Sequence, residues 1–108
     1  MAKESIKLAG QSGLAIAASV EGASDGMPVI LAHGGGQTHR AWKRVSTLLA
    51  SHGFHAIALD LRGHGTSECA KDGAYGIADF AGDLIAIAAR LERKPALIGA
   101  SLGGLAGI

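Results

Sequence analysis

Three short runs of the chain are apolar at nearly every position: residues 28–32 (Pro-Val-Ile-Leu-Ala), 54–59 and 96–98. A strand with one wet face alternates apolar and polar side chains, whereas a run without a polar face must be covered on both sides. The stretches between them, residues 40–51 and 77–92, carry apolar side chains at helical spacing instead. Strand, helix, strand, helix, strand in that order predicts an α/β fold with a mostly parallel sheet and helices on both faces. Two strands, residues 6–8 and 14–20, precede this unit, and Gly10-Gln11-Ser12-Gly13 separates them at hairpin spacing. A polar loop, residues 21–27, leads into the first buried strand.

The first helix places Trp42, Val45, Leu48 and Leu49 on one face and Arg40, Lys43, Arg44 and Thr47 on the other. The basic residues read as a solvated helix face, and Gly53 stands where a helix C-terminus is capped. The second helix presents Ile77, Phe80, Ala81, Leu84, Ile85, Ala88 and Leu91. Asp79 and Asp83 towards its start, with Arg90 and Arg93 towards its end, complement the helix dipole. Pro95 introduces the last strand, and another helix is expected to begin at Leu102.

Composition narrows the function classes. Ten Lys and Arg against nine Asp and Glu leave a net charge of +1, which is no footprint for nucleic acid or a charged membrane. No window approaches about 20 apolar residues, so a membrane span is not expected. The N-terminus lacks the apolar stretch of a signal peptide, and a cytoplasmic location is the expectation. Cys69 is the one cysteine, which excludes an intramolecular disulfide and argues against a cysteine-rich zinc site. No His-x-x-x-His pair suggests a metal, and no cofactor is implied.

Chemistry in such sheets collects at the carboxyl ends of the strands. Gly99-Ala100-Ser101-Leu102-Gly103 leaves the last strand as Gly-x-Ser-x-Gly. Glycines two residues either side of a serine permit a sharp strand-to-helix turn with the hydroxyl at its apex. Ser101 is then a candidate nucleophile, and the Leu102 N–H is placed to face a developing oxyanion. Gly99 and Gly103 supply the turn. His33-Gly34-Gly35-Gly36 leaves the strand at residues 28–32, and glycine there lets backbone amides approach a ligand oxygen. The Gly35 N–H is the candidate second oxyanion donor, with Gly36 the near alternative. A nucleotide-binding loop would need a third glycine where His39 stands, and no phosphate-loop motif occurs elsewhere.

Residues 28–42 (Pro-Val-Ile-Leu-Ala-His-Gly-Gly-Gly-Gln-Thr-His-Arg-Ala-Trp), 60–67 (Asp-Leu-Arg-Gly-His-Gly-Thr-Ser) and 99–104 (Gly-Ala-Ser-Leu-Gly-Gly) together resemble the N-terminal part of an α/β-hydrolase with a serine nucleophile. The resemblance implies the strand order 1-2-4-3-5, with the strand at residues 96–98 on an exposed edge open to self-association through Leu97 and Ile98. It implies that His33, Asp60 and Arg62 brace loops, with Gly34 and Gly36 supporting the turn. Relatives that open epoxides or carbon–halogen bonds typically carry Asp at the elbow, so Ser101 implies hydrolysis of a small acyl substrate through an acyl-enzyme, with ester, thioester, lactone, amide and carbon–carbon bonds, and perhydrolase activity, all open.

The same resemblance places the acid and then the histidine of the triad after the serine. Residues 102–108 contain no Asp, Glu or His. The expectation is an N-terminal portion of a single hydrolase domain, inactive alone. Among the upstream histidines, His39 and His64 are the candidates for a substitute base. His52 and His55 flank Gly53 at the far end of the sheet. The competing reading is a non-catalytic α/β interaction module or pseudo-enzyme subunit.

Overall fold

A computed structural model of the chain describes residues 3–99. It contains β1 (Glu4–Ala9), β2 (Ala15–Glu21), β3 (Pro28–Ala32), α1 (Lys43–Ser51), β4 (His55–Leu59), α2 (Ile77–Ala89) and β5 (Ala96–Gly99). Short 3-10 turns occupy Gln11–Gly13 and His39–Trp42. The five strands form one sheet in the order β1-β2-β4-β3-β5, the order expected from the resemblance. β1 and β2 form the antiparallel hairpin, β2 pairs antiparallel with β4, and β3 runs parallel to both β4 and β5.

The apolar runs behave as their patterns require. All five residues of β3 are buried. Ile30 and Ala32 face α2, while Val29 and Leu31 face α1. Under α2 lie Ile16, Ala18, Val20, Ile57, Leu59 and Leu61, meeting Phe80, Leu84 and Ile87 of the helix. Under α1 the sheet offers Val29, Leu31, Ala56 and Ala58 to Trp42, Val45 and Leu49. Each fully buried Leu or Ile on these faces contributes about 1.5–3 kcal/mol relative to exposure.

The helices depart from the sequence reading in instructive ways. The helix expected over residues 40–51 is a 3-10 turn followed by α1, because Thr38 Oγ1 accepts the Arg40 N–H at 3.3 Å and His39 is drawn onto Asp60. α1 ends on a Schellman cap: the Phe54 N–H reaches the Leu49 carbonyl at 3.1 Å and the Gly53 N–H that of Ala50 at 3.2 Å. Leu48 is 60% exposed, and Ser46 and Ala50 are buried in the packed face. The alanines of β4 let small helix residues approach closely. α2 stops at Ala89 rather than residue 92, closing with short-range bonds from Arg90 to Ile87 and Leu91 to Ala88. Its apolar face includes Ile87 and excludes Ile77 and Ile85, which are 46% and 69% exposed. Asp83 is not a dipole partner: it is buried among the core residues. β5 lies at the edge of the sheet, with Leu97 and Ile98 about 40% exposed among the described residues.

Candidate active site

The carboxyl ends of β3 and β4 open into two loops that are locked together. His33, fully buried, leads out of β3. Its Nδ1 lies 2.7 Å from the Gly34 carbonyl, and its Nε2 lies 2.9 Å from the Leu61 N–H. A carbonyl only accepts and an amide only donates, so Nδ1 carries the proton and Nε2 is the acceptor. His64 repeats the arrangement, with Nδ1 on the Arg62 carbonyl at 3.0 Å and Nε2 accepting the Gly36 N–H at 3.1 Å. The two imidazoles sit 4.9 Å apart, centroid to centroid. Burial lowers the His33 pKa below its ordinary value, which keeps the ring neutral and the acceptor available.

Asp60 ties the same loops from beneath. Its Oδ1 accepts the His39 N–H at 2.7 Å and faces His39 Nδ1 at 2.8 Å, and its Oδ2 accepts the Thr66 N–H at 3.1 Å. Burial pushes this carboxyl upward, but the bonds from His39 and Thr66 outweigh it and hold the pKa below the usual value. Gly65 has φ +51°, and a Cβ there would collide with the Asp60 carboxylate. The close approach therefore requires glycine. Ser67 Oγ donates to the Asp60 carbonyl and accepts the Ala17 N–H at 2.8 Å, which anchors the loop to β2.

Arg62 binds Asp83 in a fork, Nε to Oδ2 at 2.7 Å and Nη2 to Oδ1 at 2.8 Å, and gives Nη1 to the Ala74 carbonyl. The hydrogen bond to Asp83 raises the arginine pKa. Asp83 Oδ1 also accepts the Gln11 N–H at 2.8 Å. His33, Asp60 and Arg62 each join separate segments of the chain through these hydrogen bonds. Sequence reasoning missed Asp83, Ser67 and Gln37, whose Oε1 accepts the Gly34 N–H at 3.1 Å. Asp83 had a signal: it stands at helical spacing between Phe80 and Ile87, an acid on an apolar face.

Of the glycine loop, Gly34 is buried and Gly36 is committed through its amide to His64. The Gly35 N–H has no hydrogen-bond partner among the described residues, and Gly35 is exposed. In the sheet, Ala32 pairs with Gly99, so the start of the serine motif stands one strand across from the start of the glycine loop. Ser101, Leu102 and Gly103 lie outside the described residues. Among the described residues no group of three or more His, Cys, Asp or Glu side chains could hold a metal, and no helix is long and apolar enough to cross a membrane.

A sheet ordered 1-2-4-3-5 with glycine-rich loops at its carboxyl edge defines a class of α/β proteins, and comparison with known proteins names the family. The model of the alpha/beta hydrolase family matches residues 29–108, and the chain belongs to that family. It is 39% identical over 90 residues to the candidate carbamate hydrolase RutD of Variovorax paradoxus, covering 82% of this chain and 34% of the relative. The epoxide hydrolase VrEH1 of Vigna radiata superposes with a TM-score of 0.88 at 26% identity, over 97% of this chain and 34% of the other. The thioesterase domain from the curacin biosynthetic pathway gives a TM-score of 0.88 at 28% identity, over 98% of this chain and 40% of that one. The chain spans about a third of the length of the curated relatives it matches.

Proposed function

We propose that this chain carries the nucleophile of a serine hydrolase acting on a small acyl substrate. Ser101 attacks the carbonyl carbon as its proton passes to a general base, and the N–H groups of Leu102 and Gly35 hold the oxyanion. Collapse of the tetrahedral intermediate expels the protonated leaving group and leaves an acyl-serine that water hydrolyses, with no cofactor. The Ala32–Gly99 pairing carries this reading, since it aligns the serine motif with a loop whose Gly35 amide is uncommitted among the described residues. The similar proteins include some named for carbonyl-centred bonds, a carbamate and a thioester, alongside several epoxide hydrolases and non-heme chloroperoxidases. Serine rather than aspartate at position 101 favours the acyl class. A cytoplasmic location belongs to the same reading, supported by the single, exposed Cys69.

His33 and His64 have both ring nitrogens engaged, which disfavours either as the base. His39 holds Asp60 through Nδ1, the pairing that orients a base, and its Nε2 has no partner among the described residues. By the order of the family, the reading assigns the base to a histidine C-terminal to Ser101, with His39 the alternative within the chain. The engagement of both ring nitrogens of His33 and of His64 favours a second reading, a non-catalytic α/β module. Co-expression with a family C-terminal complement separates the two. Hydrolysis of p-nitrophenyl acetate by the complex, lost in Ser101→Ala, is the expected result. A soluble complex without activity favours the module, and activity that survives Ser101→Ala contradicts the proposed nucleophile.

A further inference from the structure

The three glycine amides after β3 have separate fates. The Gly34 N–H goes to Gln37 Oε1 and the Gly36 N–H to His64 Nε2, each at 3.1 Å. The Gly35 N–H has no partner among the described residues. The Gln37 N–H closes a turn on the Gly34 carbonyl at 3.1 Å, with Gly35 and Gly36 at its centre. Gly36 has φ +77° and Gly35 is not in the positive-φ region, the mark of a type II turn. A type I turn keeps the same closing bond and differs by a flip of the central peptide, which carries the Gly35 carbonyl and the Gly36 N–H. With glycine at both central positions, no Cβ opposes that flip. An outside contact therefore decides which orientation is occupied.

His64 makes that contact. Its Nδ1 faces the Arg62 carbonyl at 3.0 Å, so the proton sits on Nδ1 and Nε2 is an acceptor. Arg62 is itself pinned by its fork onto Asp83. His33 at 4.9 Å and Phe80 of α2 at 6.3 Å flank the ring, centroid to centroid. The other titratable groups nearby are Asp60, packed against Gly65 and paired with His39, and Tyr75, packed against Gly63. An acceptor at Nε2 favours the peptide orientation that presents an N–H and opposes the one that presents a carbonyl oxygen.

We propose that His64 is a positioning residue of the glycine loop: its neutral Nδ1–H tautomer holds the Gly35–Gly36 peptide in the type II orientation, and protonation at Nε2 flips that peptide. In the neutral state the Gly36 N–H is withheld, and Gly35 supplies the oxyanion amide. Once protonated, the ring donates from both nitrogens. Its Nε2–H then opposes the Gly36 N–H, and the flipped peptide offers the Gly35 carbonyl instead. The choice of oxyanion donor rests on the serine-hydrolase reading, whereas the turn is independent of it.

Two readouts separate the turn from the chemistry. In the ¹⁵N-labelled 108-residue chain at neutral pH, a ¹⁵N–¹⁵N coupling across the hydrogen bond from Gly36 to His64 Nε2 is expected, with a strong NOE from Gly35 Hα to the Gly36 N–H. On acidification the coupling vanishes, and a strong NOE between the Gly35 and Gly36 N–H protons replaces the first. In His64→Gln, whose side-chain oxygen accepts at every pH, the first NOE persists. An Nε2–H tautomer at neutral pH, or a turn that keeps its NOE pattern as His64 protonates, overturns the proposal irrespective of Ser101. The second readout is p-nitrophenyl acetate hydrolysis in the complex with a family C-terminal complement. His64→Phe, with its fold confirmed by circular dichroism, lowers kcat about ten-fold or more at unchanged KM, and His64→Gln recovers most of the loss. A rate unchanged in His64→Phe, while Ser101→Ala still abolishes it, overturns the positioning role and leaves the nucleophile intact.

Discussion

The two faces of the sheet are built to different standards. Under α2, large aliphatic side chains interlock, and the buried charge pair Arg62–Asp83 has geometry that satisfies both partners. Under α1, the sheet contributes two alanines among its four core residues. There the Trp42 Nε1 and Ser46 Oγ atoms are buried without partners among the described residues, and a cavity remains beside Lys43. The first face is closed by packing. The second is thinly packed and encloses polar atoms that its packing does not satisfy. Substitutions on the two faces therefore separate in size.

The largest effect belongs to the α2 face. Arg62→Ala leaves Asp83 buried and uncompensated, and equilibrium urea unfolding shows a loss of about 3–5 kcal/mol. The double variant Arg62→Leu/Asp83→Leu recovers much of it, because removing both charges also removes the desolvation they suffer. A double variant as unstable as the single one would mean that the pair matters for reasons other than its burial.

Acid acts next, on the loops that join the faces. His33 and Asp60 both titrate below their ordinary values of 6.5 and 3.8. The folded chain thus binds fewer protons than the unfolded one, and acidification destabilises it. The His33 contribution is complete above about pH 6.5 and is lost as pH falls through the lowered folded value, when the protonated ring can no longer accept the Leu61 N–H. The Asp60 contribution is present above about pH 3.8 and disappears further down. Urea midpoints measured from pH 8 to pH 3 decline in those two stages, and Asp60→Asn flattens the lower one.

The smallest effect sits on the α1 face. Ser46→Ala removes an unpaired hydroxyl without opening space, and stability stays level or rises by up to about 1 kcal/mol. A clear loss there would mean that the hydroxyl has a partner in solution, and the contrast between the faces would narrow.

Much of this architecture is legible in the amino-acid sequence. Residues 28–32 are uniformly apolar because β3 is covered on both faces, and the apolar run and the strand share the same bounds. The resemblance points to His33, Asp60 and Arg62 as loop braces, and each carries hydrogen bonds between segments distant in sequence. What periodicity does not reveal is which side of an apolar stripe a helix turns inward. Leu48 and Ile85 lose their places to Ser46 and Ile87, because the width of a buried face depends on the size of the residues opposite. Asp83 looks like a dipole partner by spacing alone, since spacing along one helix says nothing of an arginine 21 residues upstream. The cavity beside Ser46 is a property of packing between elements, which no local pattern encodes.

The most direct test of the proposed chemistry is covalent. With a family C-terminal complement in place, a fluorophosphonate probe is expected to add one adduct per chain, and peptide mapping to place it on Ser101. In Ser101→Ala, with the fold confirmed by circular dichroism, the adduct is lost. An adduct that persists in the alanine variant, or that maps to another residue, would contradict the assignment of Ser101 as nucleophile.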